Sequence, residues 1–259
     1  LRNIFFVSCL LAGLFAAQPS SVAAQLTLDQ AIEQLRSTDP TEVRTAIESF
    51  GLLGSPAAIG PLSERIRAGL PPELLGVAVD TLTVLGRREA GPVLFELLSH
   101  RRPEIRLLAV QAIEACTPPG ADRALITSLS DSNPEVRALA ATTLGEMEAR
   151  SAVEPLFLAL DHHIIEAGVA LAHIVDAAGS ARLLTYVGRE PFATLRPILS
   201  TLMTRANLPA RARLDVVARI GELATSEARA LLEEVDASDL PARDPVRRAA
   251  AEAAGRIAE

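Results

Sequence analysis

The sequence predicts an all-α protein, a solenoid of about seven stacked helix pairs. Three observations carry this reading. Glutamate recurs at Glu42, Glu73, Glu104, Glu135 and Glu166, each 31 residues from the next. A fixed period of roughly 20–50 residues marks units that bury their apolar faces against one another. Apolar pairs four residues apart recur at Leu62/Ile66, Leu94/Leu98, Leu125/Leu129, Leu156/Leu160 and Leu231/Val235, the spacing of one helix face. The chain is 49% hydrophobic but only 3% aromatic, a composition that suits thin layers of helix packed on helix.

Taken in order, the chain opens with an apolar run from Ile4 to Ala17 after Arg2. The run is shorter than the roughly 20 residues a membrane-spanning helix needs. Small residues follow at Val22-Ala23-Ala24, so residues 1–24 are expected to be a cleavable signal peptide, with export to a periplasm or beyond. Cys9 lies inside the apolar run, not after it, which argues against lipidation. With Cys9 removed, Cys116 has no partner for an internal disulfide; its place near a helix end predicts a small buried side chain.

Residues 25–38 are expected to hold an N-terminal capping helix, because Thr27-Leu-Asp-Gln30 reads as a capping box. Five helix-pair repeats follow over 39–189, with first helices starting near 39, 72, 102, 132 and 162 and second helices near 57, 89, 120, 150 and 180. The unit from Asp131 to Leu160 shows the plan. Asn133 and Pro134 are a capping side chain and a proline where no N–H is needed. Val136, Leu139, Ala140, Thr143 and Leu144 form the apolar stripe. Gly145 is expected to end the first helix, and Ser151 to start the second, whose face is Val153, Leu156, Ala159 and Leu160. Two helices this short are marginal alone, so the unit needs neighbours.

The rhythm fails after about residue 189. Residues 190–209 read as an irregular helical insertion, with Leu195, Ile198, Leu199 and Leu202 as a stripe and Pro197 expected to kink the helix or move its start. Motif matching then makes 210–221 a first helix, 225–235 a second and 242–258 a first; strict alternation would instead make 191–205 a first helix and 210–221 a second. Residues 210–259 are thus C-terminal repeats ending in an alanine-rich cap.

Asp131-Ser-Asn-Pro-Glu-Val-Arg137, Ala140-Ala141, Leu144-Gly145, Ala152-Val153 and Pro155-Leu156 resemble the HEAT repeat family, in particular the short HEAT-like repeats of the phycobiliprotein-lyase type. The resemblance covers 39–189 well and 210–259 less well. It implies a right-handed α-α superhelix whose second helices line the concave surface. It also implies that Asp39, Asp131 and Asp244 with Arg44, Arg106, Arg137 and Arg247 stack between repeats as structural groups.

The formal charge is −7, which disfavours non-specific attraction to nucleic acid or anionic membrane. All 25 basic residues are arginine, and the pairs Arg87-Arg88, Arg101-Arg102 and Arg247-Arg248 read as solvated turns. No nucleophile elbow, phosphate loop or zinc-protease motif is present. His162, His163 and Glu166 are the one cluster with metal-ligand residue types, His162 and Glu166 sharing a face at i and i+4 if one helix holds both; the plainer reading is a polar turn between repeats. Phe95, Ile126 and Phe157 recur every 31 residues on the second helices. Facing outward they make an apolar ladder for a peptide, rimmed by Glu64, Glu96 and Glu154; facing inward, the preferred reading, they are inter-repeat core. The expected function is an exported, non-enzymatic scaffold for a protein or peptide partner, with no cofactor. The resemblance implies an alternative, a lyase-like or chaperone-like helper that loads a cofactor onto a client protein; a third possibility is a purely structural part of an envelope assembly.

Overall fold

A computed structural model describes residues 26–238, 240–241 and 243–257. The apolar run, Cys9 and the Val22-Ala23-Ala24 segment of the expected signal peptide lie outside the described residues.

Every regular element among the described residues is a helix. Helix α1 (Leu28–Gln34) is closed at its start by reciprocal hydrogen bonds between Thr27 and Gln30. The first helices of the five repeats are α2 (Pro40–Leu53), α4 (Pro72–Leu85), α6 (Pro103–Cys116), α8 (Pro134–Glu146) and α10 (Ile165–Ile174). The second helices are α3 (Ile59–Ala68), α5 (Gly91–Leu97), α7 (Ala121–Ser128), α9 (Val153–Asp161) and α11 (Ala177–Leu184). Short 3-10 turns at Pro56–Ala58, Arg88–Ala90 and Arg150–Ala152 lead into α3, α5 and α9. Then come α12 (Phe192–Thr204), α13 (Ala210–Gly221), α14 (Ser226–Asp236) and α15 (Pro245–Arg256).

Side-chain caps and prolines set the helix starts. Asp39, Asn133 and Asp244 each accept a backbone N–H of the following turn, with Pro40, Pro134 and Pro245 at the first helical position, where a missing donor costs nothing. Helix α11 begins at Ala177, earlier than the repeat spacing predicts, because the Asp176 carboxylate accepts the Gly179 N–H and caps it there. Gly54 and Gly86 end α2 and α4 in the left-handed conformation. Gly145 does not end α8, which continues to Glu146. It is instead a point of close approach: a Cβ there would lie 2.7 Å from the Ala170 Cα of α10. Ser151 does not start α9 either; its hydroxyl donates to Asp122 of the preceding repeat at 2.6 Å.

The solenoid is held mainly by first helices stacked in file, α2 on α4, α4 on α6, α6 on α8 and α8 on α10, while α5, α7 and α9 pack on the first helix that follows each. The seam is buried and apolar, small side chains alternating with large: Ala46, Ala78, Ala109, Ala140 and Ala170 are buried with Ile47, Leu82, Ile113, Leu144 and Leu171. Polar links fix the axial register. Thr81 donates to the Ile47 carbonyl and the buried Cys116 thiol contacts the Leu82 carbonyl; burial raises that thiol's pKa. Arginines satisfy carbonyls at the ends of neighbouring helices, where the last turn leaves acceptors free: Arg65 on Leu35, Arg205 on Ala172 and Val175, and Arg219 on Val187.

Beyond α11 the packing keeps features of both orders: α14 packs on α15 and α13 on α15, as second and first helices do in the earlier repeats, while α12 adds a layer between α10 and α13. Helix α12 lies on α10, and α13 meets both α11 and α12. Helices α13 and α15 pack together and keep the first-helix signature, Arg213 pairing with Asp244 at 3.1 Å as Arg106 pairs with Asp131 at 2.6 Å. Pro197 sits in the second turn of α12, and the helix starts at Phe192 ahead of it.

Candidate groove on the second helices

The Arg106–Asp131 pair shows how the repeat motif works. The guanidinium donates to both carboxylate oxygens at 2.7 and 2.6 Å, and Asp131 also accepts the Asn133 N–H at 2.8 Å. Desolvation pushes the Asp131 pKa up, but the Arg106 hydrogen bonds, the Asn133 N–H and the Arg106 charge outweigh it and hold the carboxyl below its ordinary value. Arg137 reaches the Asp131 and Ser132 carbonyls, and Arg247 reaches Asp236 and the Leu240 carbonyl. Arg44 does not bridge repeats; it pairs within α2 with Glu48 at 3.8 Å.

Two open cavities meet on the second-helix side, both lined by Glu154 and Arg182. One, of about 900 Å³, has Ile126, Leu129, Pro155, Ala159 and Ile164 along it, with Leu158 standing 60% exposed. The other, of about 810 Å³, runs past Phe157 and the start of α11 to the turn between α12 and α13. At their junction Arg182 of α11 makes a two-point ion pair with Glu154 of α9 at 2.9 and 3.0 Å and lies over the Phe157 ring at 3.7 Å from its centroid, a cation–π contact. Asp161 accepts the Tyr186 hydroxyl at 2.5 Å. That bond, together with burial as the larger cause, pushes the Tyr186 pKa up to about 12.

The structure brings three of the expected partner-binding residues, Ile126, Phe157 and Glu154, to this furrow and leaves the others elsewhere. Phe157 is buried, while Phe95 and Ile126 are half-buried against the core. Glu96 is exposed and gripped by Arg67 through a fork of 2.9–3.0 Å bonds; Glu64 is exposed. Leu158 and Arg182 were not singled out from sequence. Leu158 lies two positions beyond Leu156, off the apolar stripe, and an exposed leucine leaves no periodic signal.

The histidine cluster is divided. His162 ends α9, His163 turns in the left-handed region with φ 62°, and Glu166 lies in the first turn of α10. A helix boundary separates His162 from Glu166, so the shared face expected at i and i+4 does not form. His163 lies 3.7 Å from Glu190, and His162 lines the larger cavity. Among the described residues no three His, Cys, Asp or Glu side chains are grouped to hold a metal ion, and no helix is long and apolar enough to cross a membrane.

Residues 123–148 match the family model of the HEAT repeat, and the described residues form an α-solenoid. No curated protein matches it in sequence. Among solved structures it is similar to a chain in the complex of CpcE and CpcF of phycocyanin lyase from Nostoc sp. PCC7120, at 19% identity and a TM-score of 0.45, covering 85% of this chain and 98% of that one. It is also similar to a designed armadillo repeat protein in complex with the peptide (KR)4, at 18% identity and a TM-score of 0.43, covering 88% of this chain and 99% of that one.

Proposed function

We propose that this chain is an exported, non-enzymatic scaffold that holds a peptide or protein segment in the furrow across α7, α9 and α11. The observation that carries the reading is Leu158, 60% exposed beside a groove of about 900 Å³ with an apolar floor. A large apolar side chain held in water next to a concave apolar surface is what a partner's side chains can cover. Rigid helices set the groove walls, so little ordering entropy is lost on binding. The Glu154–Arg182 pair at the junction offers hydrogen-bonding groups to a partner backbone. Export rests on the apolar run at residues 4–17 and the small residues at 22–24.

The test is affinity capture from an envelope extract with wild type and Leu158→Asp. A protein retained by wild type and lost with the variant supports the reading; an identical set of captured proteins sinks it. Phe157→Asp is the wrong probe, because Phe157 is 1% exposed and a buried carboxylate there would unfold the repeat.

A further inference from the structure

A second surface lies on the other layer, on the outer faces of α2, α4 and α6. Side chains recur there at helical spacing: Glu48 and Leu52 on α2, Val77, Asp80 and Val84 on α4, Leu108 on α6. Leu52 is 76% and Val84 72% exposed, with Leu53 beside them at 39%. Thus three of the five exposed large hydrophobic residues described gather at the ends of two adjacent helices. The two helices are held side by side there, Thr81 of α4 donating to the Ile47 carbonyl and lying 3.8 Å from the Cβ position of Gly51. Between α4 and α6 a shallow groove of about 360 Å³ continues the strip, floored by Gly76, Val77, Ile105 and Leu108 and edged by Glu73, Asp80 and Glu104.

The charge on this face is one-sided. Helices α2, α4 and α6 carry Glu42, Glu48, Glu73, Asp80, Glu104 and Glu114, all exposed, against Arg44 and Arg106. Arg106 is buried on Asp131, and Arg44 reaches Glu48 alone. The exposed arginines Arg87, Arg88, Arg101 and Arg102 stand in the turns at the helix ends, Arg102 at the edge of the groove.

We propose that this outer strip docks a cationic amphipathic helix of a partner protein, its apolar side chains covering Leu52, Val84 and the Val77–Leu108 groove and its basic side chains answering Asp80, Glu73 and Glu104. A helix presents apolar anchors at i, i+3, i+4 and i+7 to such a groove. Exposed carboxylates on both sides select basic flanks and disfavour acidic ones. This surface is separate from the α7–α9–α11 furrow.

The experiment uses the purified protein and two helical peptides, one of leucine and lysine and one of leucine and glutamate in the same pattern, followed by fluorescence anisotropy. The leucine–lysine peptide is expected to bind, more weakly as salt is added. Its affinity is expected to fall about tenfold in Leu52→Ser/Val84→Ser and again in Asp80→Arg/Glu104→Arg. These sites are exposed, and an unchanged thermal melt confirms that the variants fold. Leu158→Ser should leave binding unchanged. Equal affinity across wild type and the outer-face variants overturns the proposal, as does equal binding of the leucine–glutamate peptide. Loss only with Leu158→Ser places the peptide in the other furrow and overturns it while leaving the proposed function standing. Light scattering that shows a dimer abolished by Leu52→Ser/Val84→Ser makes a second copy the occupant and likewise overturns it.

Discussion

Replacing Gly145 by alanine tests the stacking of α8 on α10. The new Cβ would lie 2.7 Å from the Ala170 Cα and 2.9 Å from its Cβ. Carbon–carbon contacts are comfortable near roughly 3.5–4.0 Å, so the two helices would have to part by about 1 Å. The obstruction is mostly backbone, with no flexible side chain to swing aside. Parting the helices loosens the packing of α8 on α10, which between them bury Ala140, Ala141, Leu144, Ala167 and Leu171. Overpacking of this kind costs about 1–3 kcal/mol, against about 1 kcal/mol gained from the higher helix propensity of alanine. The net runs from no change to a loss of about 2 kcal/mol, on the opposite side of zero from a stabilising substitution. Gly51→Ala is the matched control, since its Cβ would meet only the Thr81 methyl at 3.8 Å; propensity alone should then stabilise by about 0.5–1 kcal/mol. Urea melts of the two variants against wild type read both signs. If Gly145→Ala stabilises the protein as Gly51→Ala does, α8 and α10 are not in the contact described.

Leu156→Ala, at a fully buried position, should cost about 2–5 kcal/mol in the same melt; almost no loss would place Leu156 outside the core. Arg106→Ala leaves the occluded Asp131 carboxylate without its cation and should cost about 2–3 kcal/mol at neutral pH. The pH dependence follows from the direction of the Asp131 shift. Its folded pKa is depressed, so its stabilisation is present above the ordinary carboxylate range and is lost as pH falls through the folded value; Asp131→Asn should flatten the acid limb of a stability-against-pH curve. Glu114 has the opposite sign. Its folded pKa is raised, so ionisation destabilises as pH rises through that value, and Glu114→Gln should leave the protein more stable at neutral pH than wild type.

The sequence disclosed what is local and periodic. Asn133-Pro134 and Thr27–Gln30 set helix starts within a few residues, and the chain shows the expected caps there. The buried Cys116 followed from its place near a helix end, and the bridging Arg106–Asp131 pair from the resemblance to the repeat family. What escaped depends on what stands opposite. Gly145 has the spacing of a helix terminator, and only the nearness of Ala170 shows why glycine is there. The layer taken by α12 is decided by which neighbour it meets, α10, while its own stripe fits either order. Leu158, Leu52 and Val84 fall off the apolar stripes, and their exposure is a property of the folded surface.

Helix pairs that lean on one another in file lengthen the molecule, and small-angle X-ray scattering measures that directly. A compact globule of this length has a radius of gyration of about 18 Å. The stacked arrangement predicts a value clearly above that, with a pair-distance distribution skewed to long distances. A symmetric distribution with a radius at the globular value would contradict it.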